Sequence, residues 1–285
     1  MRILPLASDS LGVRSLATFV EFSDGSSLLI DGGVRLGPKR YGLAPTLLET
    51  RVLSRYERLI TDCMKRADRI VISHYHYDHY FPDSMEYSGK TILAKDPIRE
   101  VNRSQQIRGT LFHELWRDQA TIEIADGREF TFDDIMITFS DPVPHGEDDS
   151  RLGTVLMTRI DDQTTGETLL HTSDIQGPVS TRTADSIESA DPTHLILDGA
   201  PTYLQEWHDP LILGKVEENL TGILDAVNGT IIMDHHHLRD SEWRSFFRDA
   251  YARDRTMNFA EFQGGKPVML ESMRREIWRN EHGKG

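Results

Sequence analysis

The sequence lacks a second cysteine, since Cys63 is the only one among its 285 residues. An intrachain disulfide is therefore excluded, and the helical spacing of apolar residues around Cys63 predicts a buried core side chain. No apolar run approaches the roughly 20 residues that a membrane-spanning helix needs. The N-terminal segment, with its short apolar run broken by Pro5, does not resemble a signal peptide. We therefore expect a cytoplasmic protein without a membrane partner.

The chain also has too little positive charge to bind nucleic acid with its whole surface. It carries 32 Lys and Arg residues against 46 Asp and Glu residues, a formal net charge of −14 at pH 7. Such a surface repels polyphosphate at long range, so a nucleic-acid partner is allowed but not favoured. A small anionic substrate in a local basic pocket remains compatible with this charge, and so does a homo-oligomer.

Internal repeats, low-complexity segments and long linkers are absent too, so we expect a single domain over residues 1–285. Strand-length apolar runs alternate with helical periodicities, which favours an α+β protein with sheets packed face to face and helices outside. Strands are predicted at Arg2–Ala7, Leu16–Phe22, Ser27–Ile30, Ile70–Ser73, Thr121–Ile124, Ile135–Ser140, Leu152–Ile160, Glu167–His171, His194–Leu197 and Gly229–Met233. Helices are predicted at Leu48–Met64, Asp96–Trp116, after Pro178, and at Leu213–Val227, Trp243–Tyr251 and Val268–Trp278.

Metal-seeking side chains are concentrated in the stretch SHYHYDHY, directly after a predicted buried strand. Alternate side chains of a strand point the same way, so His74 and His76 can bind one ion together. Asp78 and His79 follow where the chain turns away and can hold a second ion beside the first. A lone histidine is more often an ordinary core or surface residue, but four such groups would be costly to bury without metal. Zinc and similar divalent ions accept these ligands.

This stretch resembles the HxHxDH signature of the metallo-β-lactamase superfamily. The other motifs of that superfamily have counterparts at later predicted strand ends, in the same order along the chain. Asp31, His145, Asp174 and His235 stand at those positions. The resemblance covers the chain from Asp31 to His235. It implies a four-layer αββα sandwich, with two sheets face to face, helices outside and the metals at one edge.

The resemblance also implies a dinuclear metal site bridged by Asp174. The implied ligands of the first ion are His74, His76, His145 and Asp174. The implied ligands of the second ion are Asp78, His79, Asp174 and His235, with His236 as the alternative to His235. His237 is expected to point elsewhere, and Asp31 is expected to support a ligand histidine from behind. Zinc is the expected metal, with manganese or iron as alternatives.

Three segments, GVRS at residues 12–15, RYGL at residues 40–43 and HYHYDHY, resemble an archaeal-type branch of predicted metal-dependent hydrolases in this superfamily. Bound divalent ions lower the pKa of water to about 7, which makes hydroxide available at neutral pH. Asp78 is the expected catalytic residue, because it can orient this nucleophile or carry a proton to the leaving group. The ligands alone are compatible with esters, lactones, thioesters, amides and phosphodiesters.

Two features separate hydrolysis from redox chemistry. The di-iron reductases of the superfamily have a glutamate where His76 stands, and they need a flavin domain for which this chain has no room. Hydrolysis is therefore favoured. A mononuclear iron enzyme keeps the same HxHxDH pattern, so a redox enzyme or a non-catalytic metal-binding protein stays an alternative.

A basic loop follows Asp31 and contains Arg35, Lys39 and Arg40. These side chains either bind an anionic substrate near the metals or are ordinary surface charges. Tyr203 either donates to a developing oxyanion or packs under a loop. The predicted function is therefore hydrolysis of a phosphodiester or other small anionic ester, with lactone or thioester hydrolysis as the alternative.

Two further features lie close to the HxHxDH motif. Tyr77 either narrows the pocket or packs behind the ligands. Asn102, Gln105 and Arg108 follow one another at steps of three, so they share one face of the predicted helix. A polar helix face is usually solvated, and we expect this one to be solvated rather than to bind substrate.

Overall fold

A computed structural model describes residues 1–283, in which two β-sheets lie between outer helices. The first sheet contains β1 (Arg2–Ser8), β2 (Leu16–Glu21), β3 (Ser27–Ile30), β4 (Arg69–Ile72), β5 (Thr91–Ala94) and β6 (Thr121–Ile124), in this spatial order. Strands β1 to β3 pair antiparallel, and β3 to β6 pair parallel. The parallel strands therefore end at one common edge.

The second sheet repeats this division into an antiparallel and a parallel half. Its strands are β7 (Glu129–Phe132), β8 (Ile135–Phe139), β11 (Thr158–Asp162), β12 (Glu167–His171), β13 (His194–Asp198), β14 (Thr230–Asp234) and β15 (Thr256–Met257). Their spatial order is β15-β14-β13-β12-β11-β8-β7, and β12 to β15 are parallel. Two short strands that lie between β8 and β11 in the sequence, β9 (Val143–Pro144) and β10 (Thr154–Val155), pair with each other.

The helices cover the outer faces of both sheets. They are α1 (Leu47–Arg66), α2 (Arg103–Trp116), α3 (Thr181–Ala190), α4 (Pro210–Ala226), α5 (Trp243–Phe246), α6 (Arg248–Tyr251), α7 (Phe259–Phe262) and α8 (Leu270–His282). Apolar side chains of α1 and α2 pack on the first sheet, and those of α3 and α4 pack on the second. A third apolar cluster fills the space between the two sheets. The predicted αββα layering is therefore confirmed, whereas the single-domain assignment stays a prediction.

Helix α1 shows how local sequence fixes an element of this fold. It begins at a capping box, in which Thr46 and Glu49 satisfy each other's backbone N–H groups. Arg274 of α8 makes a buried ion pair with Glu49, which ties the C-terminal helix to the start of α1. Cys63 is buried in α1 as predicted, and burial raises the pKa of its thiol.

Several predicted elements differ from the structure. The helix expected at Asp96–Trp116 begins only at Arg103, because the Asp96 side chain accepts from backbone N–H groups in the preceding loop. The strand expected at Leu152–Ile160 is two strands, β10 and β11, in different ladders. The helix expected at Trp243–Tyr251 is the separate helices α5 and α6, and β7 was not predicted. Within residues 1–283, none of the helices combines the length and apolarity that crossing a membrane requires.

The carboxyl ends of the parallel strands bring together the polar groups that follow them. Strands β3, β4, β12 and β14 end just before Asp31, Ser73, Thr172 and His235, respectively. Three residues at these ends have left-handed backbone conformations, with φ of 50° at Asp31, 55° at Ser173 and 77° at His235. Non-glycine residues rarely adopt such angles, and they cluster at functional sites. The shared edge is therefore where a functional site is expected.

Candidate metal centre

A first group of four ligand-type side chains meets at this edge. His74 and His76 follow β4, His145 follows β9, and Asp174 lies three residues after β12. One ligand atom from each of the four lies within 4.8 Å of the others. The Nε2 atoms of His74 and His145 lie 3.6 and 3.4 Å from Asp174 Oδ2. The structure thus brings together all four residues predicted for the first ion.

A second group lies on the other side of the same carboxylate. Ligand atoms of Asp78, His79 and His235 lie within 4.8 Å of one another. The Nε2 atoms of His79 and His235 lie 2.9 and 3.3 Å from Asp174 Oδ1. Asp174 therefore presents Oδ2 to the first group and Oδ1 to the second. This is the placement that a bridging carboxylate between two ions requires.

The hydrogen bonding of these groups tests whether they fit metal ions. His74 Nε2, His79 Nε2, both ring nitrogens of His145 and Asp174 Oδ1 are buried without a hydrogen-bond partner in residues 1–283. The contact of 2.9 Å between His79 Nε2 and Asp174 Oδ1 joins two ligand atoms of the proposed second ion. Unpaired buried polar atoms are costly. Convergent imidazole nitrogens and carboxylate oxygens are zinc-type ligands, so the residues fit divalent ions.

The protonation states follow from burial and from neighbouring charges. Burial lowers the pKa of His76 to about 3, and nearby His145 adds to this. Burial likewise holds the pKa of His74 well below its usual range. Burial opposes protonation of His235 as well, but the Asp174 carboxylate outweighs it and raises the pKa of His235 to about 9. Metal ligands must be deprotonated, so His235 would have to release a proton when metal binds.

Asp31 lies behind the centre, in the place where a supporting residue was predicted. Its Oδ2 atom lies 3.0 Å from His79 Nδ1 and accepts a 2.6 Å hydrogen bond from the Ser73 hydroxyl. The Ser73 hydroxyl also lies 3.0 Å from His74 Nδ1, and the Ser173 hydroxyl lies 3.1 Å from Asp31 Oδ2. One carboxylate and two hydroxyls thus orient the rings of both groups. Neither serine was singled out from the sequence.

The three consecutive histidines after β14 point in three directions. His235 joins Asp78 and His79, whereas His236 Nε2 lies 4.0 Å from the other Asp174 oxygen, Oδ2. His237 leaves the site, since its Nε2 lies 2.9 Å from the Tyr251 hydroxyl in the core of the outer layer. The geometry therefore favours His235 over His236 at the second ion, and this assignment stays a prediction.

Two buried carboxylates hold these histidines and were missed from the sequence. Asp9 Oδ2 lies 2.8 Å from His235 Nδ1, and both oxygens of Asp198 lie 2.9 Å from His236 Nδ1. Arg239 pairs with Asp9 at 3.0 Å, and its Nη2 lies 3.8 Å from Asp78 Oδ2. A carboxylate directly after the apolar run of β13 was a readable signal for Asp198. For Asp9 the sequence carried no signal.

The basic loop divides between two places around the centre. Arg40 donates to the backbone oxygen of Arg239 at 2.9 Å, and its guanidinium lies 4.6 Å from the Tyr203 ring centroid. Arg35 lies elsewhere, against the ring of Tyr77. Lys39 is exposed, and within residues 1–283 its side chain forms no hydrogen bond or ion pair. The loop is therefore not one pocket, and its role in binding substrate stays a prediction.

The residues after the motif differ from expectation. Tyr77 is 38% exposed, so it stands at the mouth of the site and does not pack behind the ligands. Gln105 is buried, donates to the Leu152 carbonyl and accepts from the Tyr75 N–H. Arg108 is half-buried and packs on the Tyr77 ring. The prediction of a solvated face was wrong, because residues 150–154 cover this side of α2.

Comparison with known proteins shows the family. No family model matches the sequence. The chain is 42% identical over 303 aligned positions to a UPF0282 protein of Thermococcus gammatolerans, covering 100% of this chain and 97% of the relative. It is 40% identical over 291 positions to a UPF0282 protein of Methanocaldococcus jannaschii, covering 97% and 96%. The chain belongs to the UPF0282 family. The predicted archaeal branch is thereby confirmed.

Solved structures similar to this UPF0282 chain share its fold at low sequence identity. A variant of CmlA β-hydroxylase gives a TM-score of 0.52 at 12% identity, covering 86% of this chain and 51% of that one. Zinc-bound PqqB from Methylobacterium extorquens gives a TM-score of 0.51 at 12% identity, covering 89% and 86%. The chain has the metallo-β-lactamase fold, as its HxHxDH motif predicted.

Proposed function

We propose that this UPF0282 protein is a metal-dependent hydrolase with a dinuclear centre, which cleaves a phosphodiester or another small anionic ester. One observation carries the proposal. Asp174 presents its two oxygens to two separate groups of buried imidazole and carboxylate ligands. Two zinc ions are the expected occupants, because nitrogen-rich ligand sets of this kind suit zinc.

Asp78 is proposed as the residue that handles the proton. When bound, the ions supply a water of lowered pKa and an electrophile for the substrate's oxygen. The Asp78 side chain keeps 19% exposure, whereas that of Asp174 keeps 2%, so Asp78 faces the mouth. Burial raises the pKa of Asp78, but the charge of His79 outweighs it, with Arg239 adding to this, and the carboxyl stays ionised. An ionised carboxylate at the mouth can orient the attacking water by accepting a hydrogen bond from it, and it can pass a proton on to the leaving group.

The preference for an anionic substrate rests on the cations around the mouth. Arg40 and the Tyr203 hydroxyl lie on the side of Arg239, while Arg35 lies on the side of Tyr77. In a chain with a net charge of −14, these guanidinium groups create a local positive field. Such a field favours esters that carry negative charge over neutral lactones.

The experiment compares hydrolysis of bis(p-nitrophenyl) phosphate with hydrolysis of a panel of lactones and thioesters. The protein is loaded with zinc or manganese, and Asp78→Asn is measured beside it. Asp149→Asn serves as the matched control, because Asp149 is an exposed carboxylate near His145 that lies outside both ligand groups. Diester turnover that survives in Asp149→Asn and is lost in Asp78→Asn supports the proposal.

Other outcomes decide against parts of it. Lactone or thioester turnover alone overturns the anionic-ester assignment and keeps the hydrolase. Equal turnover by Asp78→Asn and the wild-type protein removes Asp78 from the mechanism. The fold also carries a β-hydroxylase, CmlA, so iron bound in the purified protein together with no hydrolysis would favour redox chemistry.

A further inference from the structure

Two arginines from distant parts of the sequence lie against one aromatic ring at the mouth of the site. The guanidinium carbon of Arg108, on α2, is 4.4 Å from the Tyr77 ring centroid. That of Arg35, in the loop after β3, is 5.6 Å from the same centroid. Tyr77 stands between His76 and Asp78 in the sequence, so this cluster is adjacent to the proposed metal ligands.

The positive charges of this cluster are not neutralised. Within residues 1–283, neither Arg35 nor Arg108 forms an ion pair, and Arg108 donates only to the Tyr75 carbonyl, at 3.3 Å. Two arginines in other parts of this region differ, since Arg14 is paired with Glu271 at 2.6 Å and Arg239 with Asp9. Both unpaired side chains are half-buried. An anion bound by both side chains would neutralise these two charges.

A buried hydroxyl beside the cluster also lacks a partner. Tyr80 is fully buried and its ring centroid lies 5.8 Å from that of Tyr77. Its hydroxyl has no hydrogen-bond partner in the described part of the chain. An unpaired buried hydroxyl is costly, and a bound oxygen or water would satisfy it.

We propose that Arg35, Arg108 and Tyr77 form a subsite for a phosphate group that the substrate carries besides the bond cleaved at the metal centre. This inference rests on the proposed function and names the substrate class more narrowly. Two guanidinium forks match the oxygens of a phosphate, and their joint charge matches a phosphate dianion better than a single carboxylate. The Tyr77 ring fixes both cations by cation–π contact.

The position of the subsite distinguishes it from the scissile group. His76 and Asp78 belong to the two ligand groups, whereas Tyr77, between them in the sequence, is exposed at the mouth. A phosphate held by Arg35 and Arg108 would therefore lie beside the metal centre and not between the ions. The substrate of this site then has two anionic groups, one at the ions and one at the arginines.

The test measures binding and does not need turnover. Metal-loaded protein is titrated calorimetrically with hexyl phosphate and with 1,6-hexanediol bisphosphate, and also with propyl phosphate and 1,3-propanediol bisphosphate. Each pair differs only in a second phosphate. We expect the better-fitting bisphosphate to bind about tenfold or more tightly than its monophosphate in the wild-type protein. In Arg35→Gln and Arg108→Gln, this ratio should fall to about one.

Matched variants keep the result interpretable. Arg103→Gln is the control, because Arg103 is an exposed arginine on the same helix and makes no contact with Tyr77. It should retain the wild-type ratio. Arg108→Lys should retain part of it, because the charge stays and the guanidinium fork is lost. Thermal unfolding of each variant shows that the fold is intact.

Each outcome of these titrations either supports the phosphate subsite or overturns it. A ratio of about one for both pairs in the wild-type protein overturns the subsite, whatever the protein hydrolyses. A high ratio that persists in Arg35→Gln and Arg108→Gln also overturns it. A high ratio that these variants abolish supports the subsite, even if no ester is hydrolysed. If no ester is hydrolysed but the variants abolish the high ratio, the proposed hydrolase function fails and the phosphate subsite is still supported.

Discussion

Single residues at the centre are held in positions that they would not adopt alone. Asp31, Ser173 and His235 all have positive φ, which costs a non-glycine residue about 1–3 kcal/mol each. Gly33 is constrained by close packing, because a Cβ at this position would overlap the backbone of His79 and Tyr80. The hydrogen bonds of Asp31 and Asp9 offset this strain. These bonds fix the positions of the side chains around the centre.

Asp174 is the residue on which both ligand groups depend. Its replacement in Asp174→Ala removes one ligand from each group, so we expect the metal content to fall from two ions per chain to nearly none. Elemental analysis of dialysed protein checks this. Asp185→Ala, on the exposed face of α3, is the control and should keep both ions. Full metal content in Asp174→Ala would show that another group bridges the ions.

The choice between His235 and His236 leads to a second prediction at this scale. His235 lies with Asp78 and His79, so His235→Ala should lose the second ion and keep the first. His236→Ala should keep both ions, because the ligand atom of His236 groups with Asp174 and His235 only and not with Asp78 and His79 or with His74, His76 and His145. Titration with zinc, followed by calorimetry, counts the sites. The reverse pattern would identify His236 as the ligand.

At the scale of elements, the sequence predicted what depends on local pattern. The strands Ser27–Ile30, Thr121–Ile124 and Glu167–His171 were predicted with their observed bounds, because apolar runs between turn residues define them. The proposed ligands could be read because they lie in the loops that follow predicted strands. The loop before Arg103 could not be read, because its path depends on hydrogen bonds to Asp96 and not on periodicity.

The supporting role of Asp9 could not be predicted from the sequence for a related reason. Asp9 follows β1 and acts on His235, which follows β14 at the opposite end of the sequence. Such a pairing arises only when the two sheets pack together. The orientation of His237 likewise depends on contact with Trp243 of α5. Long-range packing therefore decides which of three adjacent histidines enters the site.

We predict that Asp9, in the turn after β1, affects binding of the second ion because it holds His235, in the turn after β14. Asp9 contacts both His235 and Arg239. Asp9→Asn should therefore hold the His235 ring less firmly and weaken binding of the second ion by about 10- to 100-fold. First-ion affinity should change little, because His74, His76 and His145 do not contact Asp9. Competition with a chromogenic chelator measures both affinities. Asp62→Asn, exposed on α1, is the control, and equal loss at both ions would point to general destabilisation.

At the scale of the whole molecule, the centre joins the two sheets. His74, His76, Asp78 and His79 follow strand β4 of the first sheet, whereas Asp174 and His235 follow strands of the second. Ions held by both sets would cross-link the layers and bind only the folded chain. Such binding stabilises the folded state by mass action. Removal of metal should therefore lower the stability of the entire sandwich and not merely that of one loop.

The metal-free protein should lose stability as the pH rises above about 7.5, where the buried histidines of lowered pKa, such as His74 and His76, are neutral in both the folded and the unfolded state. The folded-state pKa of His235 is raised to about 9, above its ordinary value of about 6.5, by Asp174 acting against burial. Protonation of His235 therefore stabilises the fold fully below about pH 6.5, and this contribution is lost as the pH rises through about 9. The shift corresponds to about 3 kcal/mol at most. His79, whose pKa is also raised by Asp174 against burial, acts in the same direction.

Urea unfolding of chelator-treated protein between about pH 7.5 and about pH 10 measures this effect. The free energy of unfolding should decrease with pH in the wild-type protein and decrease less in His235→Gln. Metal-loaded protein should respond in the opposite sense on acidification, because protons then compete with the ions for the imidazoles. A metal-free protein whose stability rises over this range would mean that His235 is not held protonated by Asp174. The contacts of Asp9 and Asp174 with the His235 ring would then not determine its protonation state.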